Sequence, residues 1–236
     1  MQNAEIIAKM LDAAADHVPF DGWSHTAFVA SAKDAGIDPA VARAALPRGA
    51  VDLALAYHDA GDAAMLARLE EADLSEMRFT DRIKAAVRYR LEAGDREMVR
   101  RGTTLFALPQ HAADGARAIW GTAGHIWTAL GDTSDDVNWY TKRATLSGVY
   151  GSTVLYWLGD HSPGNTATWE FLDRRIDDVM QIEKLKAKAK DNKLASALLA
   201  GPMKILSHIR APQRSADMPG RWTSPDRANP AKTKTD

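Results

Sequence analysis

The side chains able to attack, ionise or ligate in these 236 residues are seven histidines and 31 carboxylates, and cysteine is absent. Without a thiol there is no cysteine nucleophile, no disulfide framework and no thiolate metal site. The histidines are scattered, HExxH is missing, and no glutamate is followed at the third position by histidine, the pairing that holds two irons in helical bundles. P-loop, GxGxxG and GxSxG patterns are also absent. Asp132, Asp135 and Asp136 cluster as calcium ligands do, but the EF-hand glycine and terminal glutamate are lacking, so a helix-capping role is expected. His125, close to Trp120 and Trp127, reads as a pocket or core histidine in preference to a ligand or base. These residues predict no enzyme, no cofactor and no metal.

The densest chemistry lies in GDTSDDVNW, Gly131 to Trp139, which continues through Tyr140, Thr141, Lys142 and Arg143 into a long apolar helix. On a helix Trp139, Arg143, Leu146, Tyr150 and Trp157 share one stripe, while Ala144, Gly148, Gly151 and Leu155 form a thinner one. Such a helix is built to be packed against. Its start is expected to be capped by Ser134, with Asp135 and Asp136 favouring the positive helix end.

Helical periodicity positions these groups, and no alternating strand pattern appears. Helices are predicted over 3–17, 24–35, 39–46, 49–72, 79–93, 95–108, 112–130, 135–158, 166–189 and 191–210. Pro19, Asp21 and Gly22 should end the first, and Gly36, Gly94, Pro109, Gly131 with Asp132, and Pro163 with Gly164 mark later breaks. Leu105, Phe106 and Leu108 close one helix; Ile119, Trp120, Ile126, Trp127 and Leu130 stripe the next; Leu146, Tyr150 and Val154 lie on the one after. An ordinary core accounts for such stripes. The interposed Gly102, Gly121, Gly124, Gly148 and Gly151, which supply no side chain, allow a cavity instead.

The front helices, with AKDAGIDPAVARAAL at their centre, look like a helix-turn-helix. A DNA reader needs cations for phosphate and a helix reaching base edges. This one presents mainly Ala, Val and Leu around Arg43, so no nucleic-acid binding is expected. The net charge of −1 hides an asymmetry, with eight Lys or Arg against one Asp over 184–214. Beyond Asp191, Leu194, Leu198, Ile205 and Ile209 share a face widened by Leu199, Met203 and Leu206, with Lys193 and Lys204 opposite. That pattern suits a helix lying in an anionic headgroup region or docking on the body. Pro202 removes an internal hydrogen bond and should kink it into two shorter pieces. No stretch is long and apolar enough to span a bilayer. An amphipathic pattern (Ile6, Ile7, Met10, Leu11, Ala14) follows Met1 directly, which suggests a bacterial cytoplasmic protein.

The strings DxNWYTxR (Asp136 to Arg143) and TWxFLxxRIxD (Thr168 to Asp178), in this order and spacing and followed by a detached basic amphipathic helix, resemble the accessory proteins of coenzyme Q (ubiquinone) biosynthesis known as Coq-nine. The resemblance is strongest from Leu105 to Met180 and colinear, though weaker, from Ile6 to Ala93. It implies an all-α, TetR-like regulator fold: a degenerate helix-turn-helix module and connecting helix over 1–72, a lipid-binding domain over 73–189, an amphipathic membrane helix over 190–210 and a disordered tail over 211–236. It further implies a polyprenylated quinone or other isoprenoid lipid held by Leu105, Phe106, Leu108, Trp120, Ile126, Trp127, Leu146, Tyr150 and Val154. Asp136, Asn138, Trp139, Tyr140 and Arg143 would dock a ubiquinone-pathway hydroxylase, the demethoxyubiquinone hydroxylase where present. Lys193, Leu194, Leu198, Lys204, Ile205 and Ile209 would meet the membrane surface, placing the protein on the periphery of a bacterial inner membrane. A homodimer is the expected assembly. A ligand-responsive transcription regulator and a lipid-free structural subunit are the rival readings.

Overall fold

A computed structural model of the chain describes residues 3–191 and 210–212, with the side chains of 182–191 left aside. Helix α1 (Asn3–Asp21) buries Ile6, Met10, Ala14 and Val18, a strict i, i+4 stripe. It runs through Pro19 to Asp21, past the predicted stop at residue 17, because a proline this near the end disrupts few remaining hydrogen bonds. Gly22, at φ 66°, then turns the chain out. Ser24 caps α2 (His25–Asp34), and Asp38 with Pro39 opens α3 (Pro39–Ala45). Gly49, at φ 62°, starts α4 (Ala50–Glu71); a Cβ there would stand 2.6 Å from Arg43 Nη1. Helices α5 (Phe79–Glu92), α6 (Arg96–Phe106), α7 (Ala112–Ala129), α8 (Val137–Gly159) and α9 (Thr166–Asp191) complete the described part, with a short 3-10 turn at Pro163–Asn165 before α9.

The described residues form two buried apolar clusters. Residues of α1 to α3, together with Leu53, Ala54 and Met98, build one; Met65, Leu69 and residues of α5, α7, α8 and α9 build the other. Helix α4 therefore belongs to both, and the division falls inside it, where the sequence placed a boundary after residue 72. Helix α6 returns to the first cluster through Met98, Leu105 and Phe106.

The start of α8 differs from the expected one. Asp136, not Ser134, is the cap, accepting from the Asn138 amide at 2.9 Å. Ser134 instead donates to Asp132 at 2.8 Å. The predicted helix over 191–210 and its membrane residues Lys193, Leu194, Leu198, Lys204, Ile205 and Ile209 lie outside the described residues. So does most of the tail expected to be disordered. Ala211, which that tail was to include, donates its amide to the Asp135 carbonyl at 2.8 Å.

Candidate functional site

Helices α4, α5, α6, α7 and α8 enclose a cavity of about 500 Å³. This is the size of ordinary ligand pockets, and about three times an engineered cavity that accepts benzene. The walls are chiefly apolar: Ala54, Leu91, Met98, Phe106, Ile119, Val154 and Trp157 face it, with Trp23 from the α1–α2 connection. Space is left because Gly102 and Gly151 stand where larger residues would fill it, while Gly115 lets α7 approach Phe106, whose Cβ would lie 2.7 Å from a Cβ there. Trp23 is held in place by its indole N–H, which donates to the Met98 carbonyl at 3.2 Å, and by its ring, 5.5 Å from that of Tyr57.

One part of the wall is polar, formed by Tyr57, His58, Arg90 and Tyr150. Arg90 lies on the buried stripe of α5 with Ile83, Val87 and Leu91, and its Nε donates to Asp62 Oδ1 at 2.6 Å. Its Nη2 donates to the His58 carbonyl at 3.0 Å. Thr122 Oγ donates to the same Asp62 carboxylate at 2.9 Å, and His125 Nδ1 stands 3.0 Å from its other oxygen. His58 Nε2 lies 2.8 Å from Thr122 Oγ and 3.2 Å from the Ala118 carbonyl. A carbonyl only accepts, so the His58 proton sits on Nε2. Burial lowers the His58 pKa to about 4, helped by the Arg90 charge, and the ring is neutral. Burial likewise raises Tyr150 and Tyr57 above the usual phenol range. The Arg90 guanidinium fits because Gly61 is small: a Cβ there would meet Nη1 at 2.5 Å.

Of the residues predicted for lipid, Phe106, Tyr150 and Val154 face this cavity. Ile126 and Leu146 are buried in the second core, and Trp127 packs against it with its N–H on the Lys142 carbonyl at 3.1 Å. Leu105 packs on the first core, Leu108 is exposed, and Trp120 turns to Trp139. Gly102 and Gly151 border the cavity as expected, whereas Gly121, Gly124 and Gly148 do not and Gly115 does. Of the polar wall only Tyr150 was predicted; Tyr57, His58 and Arg90 were missed. A signal existed: Arg90 and Asp62 both fall on apolar helical stripes, where an unpaired charge is costly.

The α7–α8 connection is a second organised region. Asp132 is buried there and takes Lys142 Nζ at 2.8 Å, Arg143 Nη1 at 3.2 Å and the Ser134 hydroxyl. Burial works to raise its pKa, but Lys142, Ser134 and Arg143 outweigh that and lower it to about 2. Arg143 is itself buried, 4.0 Å from the centre of the Trp139 ring. It is thus a clamp within the fold, which corrects its assignment to a docking surface; its carboxylate partner is Asp132, across the loop. Asp136 caps α8 and also accepts from Asn138 Nδ2 at 2.9 Å. That leaves exposed Asn138 and half-buried Trp139 and Tyr140 at the surface. The two rings meet edge to face at 4.8 Å, and Trp139 lies 6.0 Å from Trp120. Arg210 and Ala211 cross this corner: Tyr140 Oη donates to the Arg210 carbonyl at 3.2 Å, and Arg210 pairs with Asp135 at 3.7 Å.

Comparison with known proteins places this geometry among relatives. Residues 112–183, covering the cavity's α7–α8 side and both motif strings, match the family model described as COQ9. The chain is 34% identical over 184 residues to the ubiquinone biosynthesis protein COQ9, mitochondrial, of Drosophila melanogaster, covering 75% of this chain and 56% of that protein. To its counterpart of the same name in Rattus norvegicus it is 32% identical over 208 residues, covering 84% of this chain and 66% of that one. The chain thus spans a little over half to about two thirds of these relatives. Among solved structures, a TetR transcriptional regulator from Nitrosomonas europaea ATCC 19718 superposes with a TM-score of 0.61 at 19% identity, over 73% of this chain and 97% of that one. The fold is therefore all-α and TetR-like. The expectation of a bacterial cytoplasmic protein peripheral on an inner membrane is corrected by these matches, since the relatives carry mitochondrial names.

Proposed function

The chain belongs to the COQ9 family, and we propose that it is a non-enzymatic lipid-binding protein of ubiquinone biosynthesis: it takes up a polyprenylated quinone intermediate or another isoprenoid lipid and hands it to a ubiquinone-pathway hydroxylase. The observation that carries this reading is the cavity of about 500 Å³ walled mainly by apolar side chains. A polyprenyl tail leaving a bilayer loses about 0.8 kcal/mol per exposed methylene-sized group unless apolar walls receive it. The test is transfer. Vesicles carrying a polyprenylated quinone are mixed with the protein and removed by flotation; quinone should remain with the protein, and quinone found only with the vesicles would end the lipid reading.

The hydroxylase is the demethoxyubiquinone hydroxylase where that enzyme is present, and its docking surface is Asn138, Trp139 and Tyr140. Aromatics held by stacking around a fixed arginine are the usual anchors of a binding hot spot. The membrane contact is assigned to the segment after Asp191. A homodimer would form through α8 and α9, where exposed Tyr156 stacks on Phe171 at 4.4 Å and a Cβ at Gly148 would meet no neighbouring atom within 4 Å. Against the transcription-regulator reading stands the state of the front cations. Arg43 lies over Phe28, 5.1 Å from the ring centre, and Arg48 is paired with both Asp52 and Asp114 at 2.7 and 2.9 Å.

A further inference from the structure

The cavity is not uniform along its length. Arg90 and Tyr150 are 4% exposed, whereas Leu155, in the same wall, is 61% exposed. Helix α7 gives the direction. Ala118, bonded by His58, marks the buried polar end, and Ala112, six residues earlier and exposed, marks the open one. The rise of a helix puts about 9 Å between them. The open end is apolar, formed by Ala107, Ala112, Ala116 and Leu155. The polar end is also charge-balanced, since Asp62 answers Arg90 and His58 is neutral. A second, smaller space of about 120 Å³ shares Tyr57 and Arg90 as walls, between Gly61 and Gly94.

We infer that the cavity takes its lipid head first: an uncharged head bearing oxygen acceptors, such as a quinone or phenol, lies against Tyr57, His58, Arg90 and Tyr150, and the tail leaves between Ala107, Ala112 and Leu155. This rests on reading the cavity as a lipid site. Phenol and guanidinium groups donate to such oxygens, and His58 Nδ1 accepts from a phenol. A carboxylate or phosphate head would instead bring an unanswered charge to a buried, already neutralised site. An oxygen-free hydrocarbon would leave these polar groups without a ligand partner. Delivery then means passing on the whole lipid, because the ring is shielded while it is bound.

Photocrosslinking on the full chain tests the orientation. Two forms of a quinone with a two-isoprene tail carry a diazirine, one on the ring and one at the tail end. The ring probe should label peptides around Tyr57 and Arg90, and the tail probe those around Ala107 to Ala112 and Leu155. The reversed pattern would overturn the inference while leaving the cavity a lipid site; labelling by neither probe would overturn the lipid reading itself. Calorimetric titration then compares the unlabelled quinone with the same tail ending in a carboxylate. The quinone should bind about tenfold tighter because the carboxylate brings an unanswered charge, and Tyr150→Phe, which also gives up the hydroxyl's bond to Thr122, should reduce that preference while lowering the melting temperature only slightly. Equal or tighter binding of the carboxylate, or an unaltered preference in Tyr150→Phe, would contradict it.

Discussion

Among the carboxylates whose side chains are buried in the described residues, Asp62 and Asp132 organise two regions to opposite ends. Asp62 sits in the interior with Arg90, Thr122 and His125 around it, and its network forms one end of a cavity. Asp132 sits under the α7–α8 connection and draws Lys142 and Arg143 to one loop. In the first case the charges cancel in a dry place and leave polar groups turned to a space. In the second they fix the start of a helix, so that Trp139 and Tyr140 are held at the surface. The same interaction therefore makes a receiving wall in one region and a rigid presenting corner in the other.

Removing each carboxylate should separate the two roles. Asp62→Ala leaves the Arg90 guanidinium buried without its partner, and a loss of about 3–5 kcal/mol is expected, read by chemical denaturation. A loss under 1 kcal/mol would mean that water reaches Arg90. Acid should act on the same region next. The folded pKa of His58, about 4, lies below its ordinary 6.5, so the unfolded chain takes up the proton first. The stabilisation is complete above about pH 6.5 and is lost as pH falls toward 4, at most about 3 kcal/mol. His58→Gln should flatten that part of the stability profile.

The Asp132 region should respond more weakly. Asp132→Ala is expected to cost about 2 kcal/mol, because Lys142 can turn to water while Arg143 cannot; Lys142 is 37% exposed and Arg143 5%. Its pH dependence falls lower as well. The Asp132 carboxylate contributes fully above about pH 3.8 and loses its contribution only as pH falls through 2, so the two regions titrate in separate windows. Smallest in stability is Trp139→Lys, which forfeits the stacking on Trp120 and Arg143, about 1 kcal/mol. Hydroxylase capture by this variant should nevertheless fall about 30-fold. A large drop in melting temperature with unchanged capture would return Trp139 to the core.

The contrast also explains what the sequence could reveal. Helix limits were legible where they are written locally, as at the predicted breaks Gly22 and Gly36, which adopt positive φ; the cap of α8 was read as Ser134, whereas Asp136 takes it. Phe106, Tyr150 and Val154 were legible as members of apolar stripes. Arg90 was not, because a lone charge reads as a solvated face until its partner, 28 residues earlier on another helix, is known. Arg143 was placed at the surface because its neighbours in the motif are there. The residue that buries it, Asp132, belongs to the loop before the helix. Pairings made across elements are what a single helical period cannot show.

The central claim is that the space between α4 and α8 holds isoprenoid lipid, and Gly151 gives the most direct access to it. Gly151 lines the cavity, and a Cβ there would meet Ile119 Cδ1 at an ordinary 3.7 Å. Gly151→Leu should thus fill the space without strain, and it replaces a helix-interior glycine with a better helix former. The measurement is lipid mass spectrometry on the purified full chain and on this variant. Isoprenoid quinone or a related isoprenoid should accompany the natural protein and be lost from a variant that melts no lower. No isoprenoid in either, or equal amounts in both, would contradict the account.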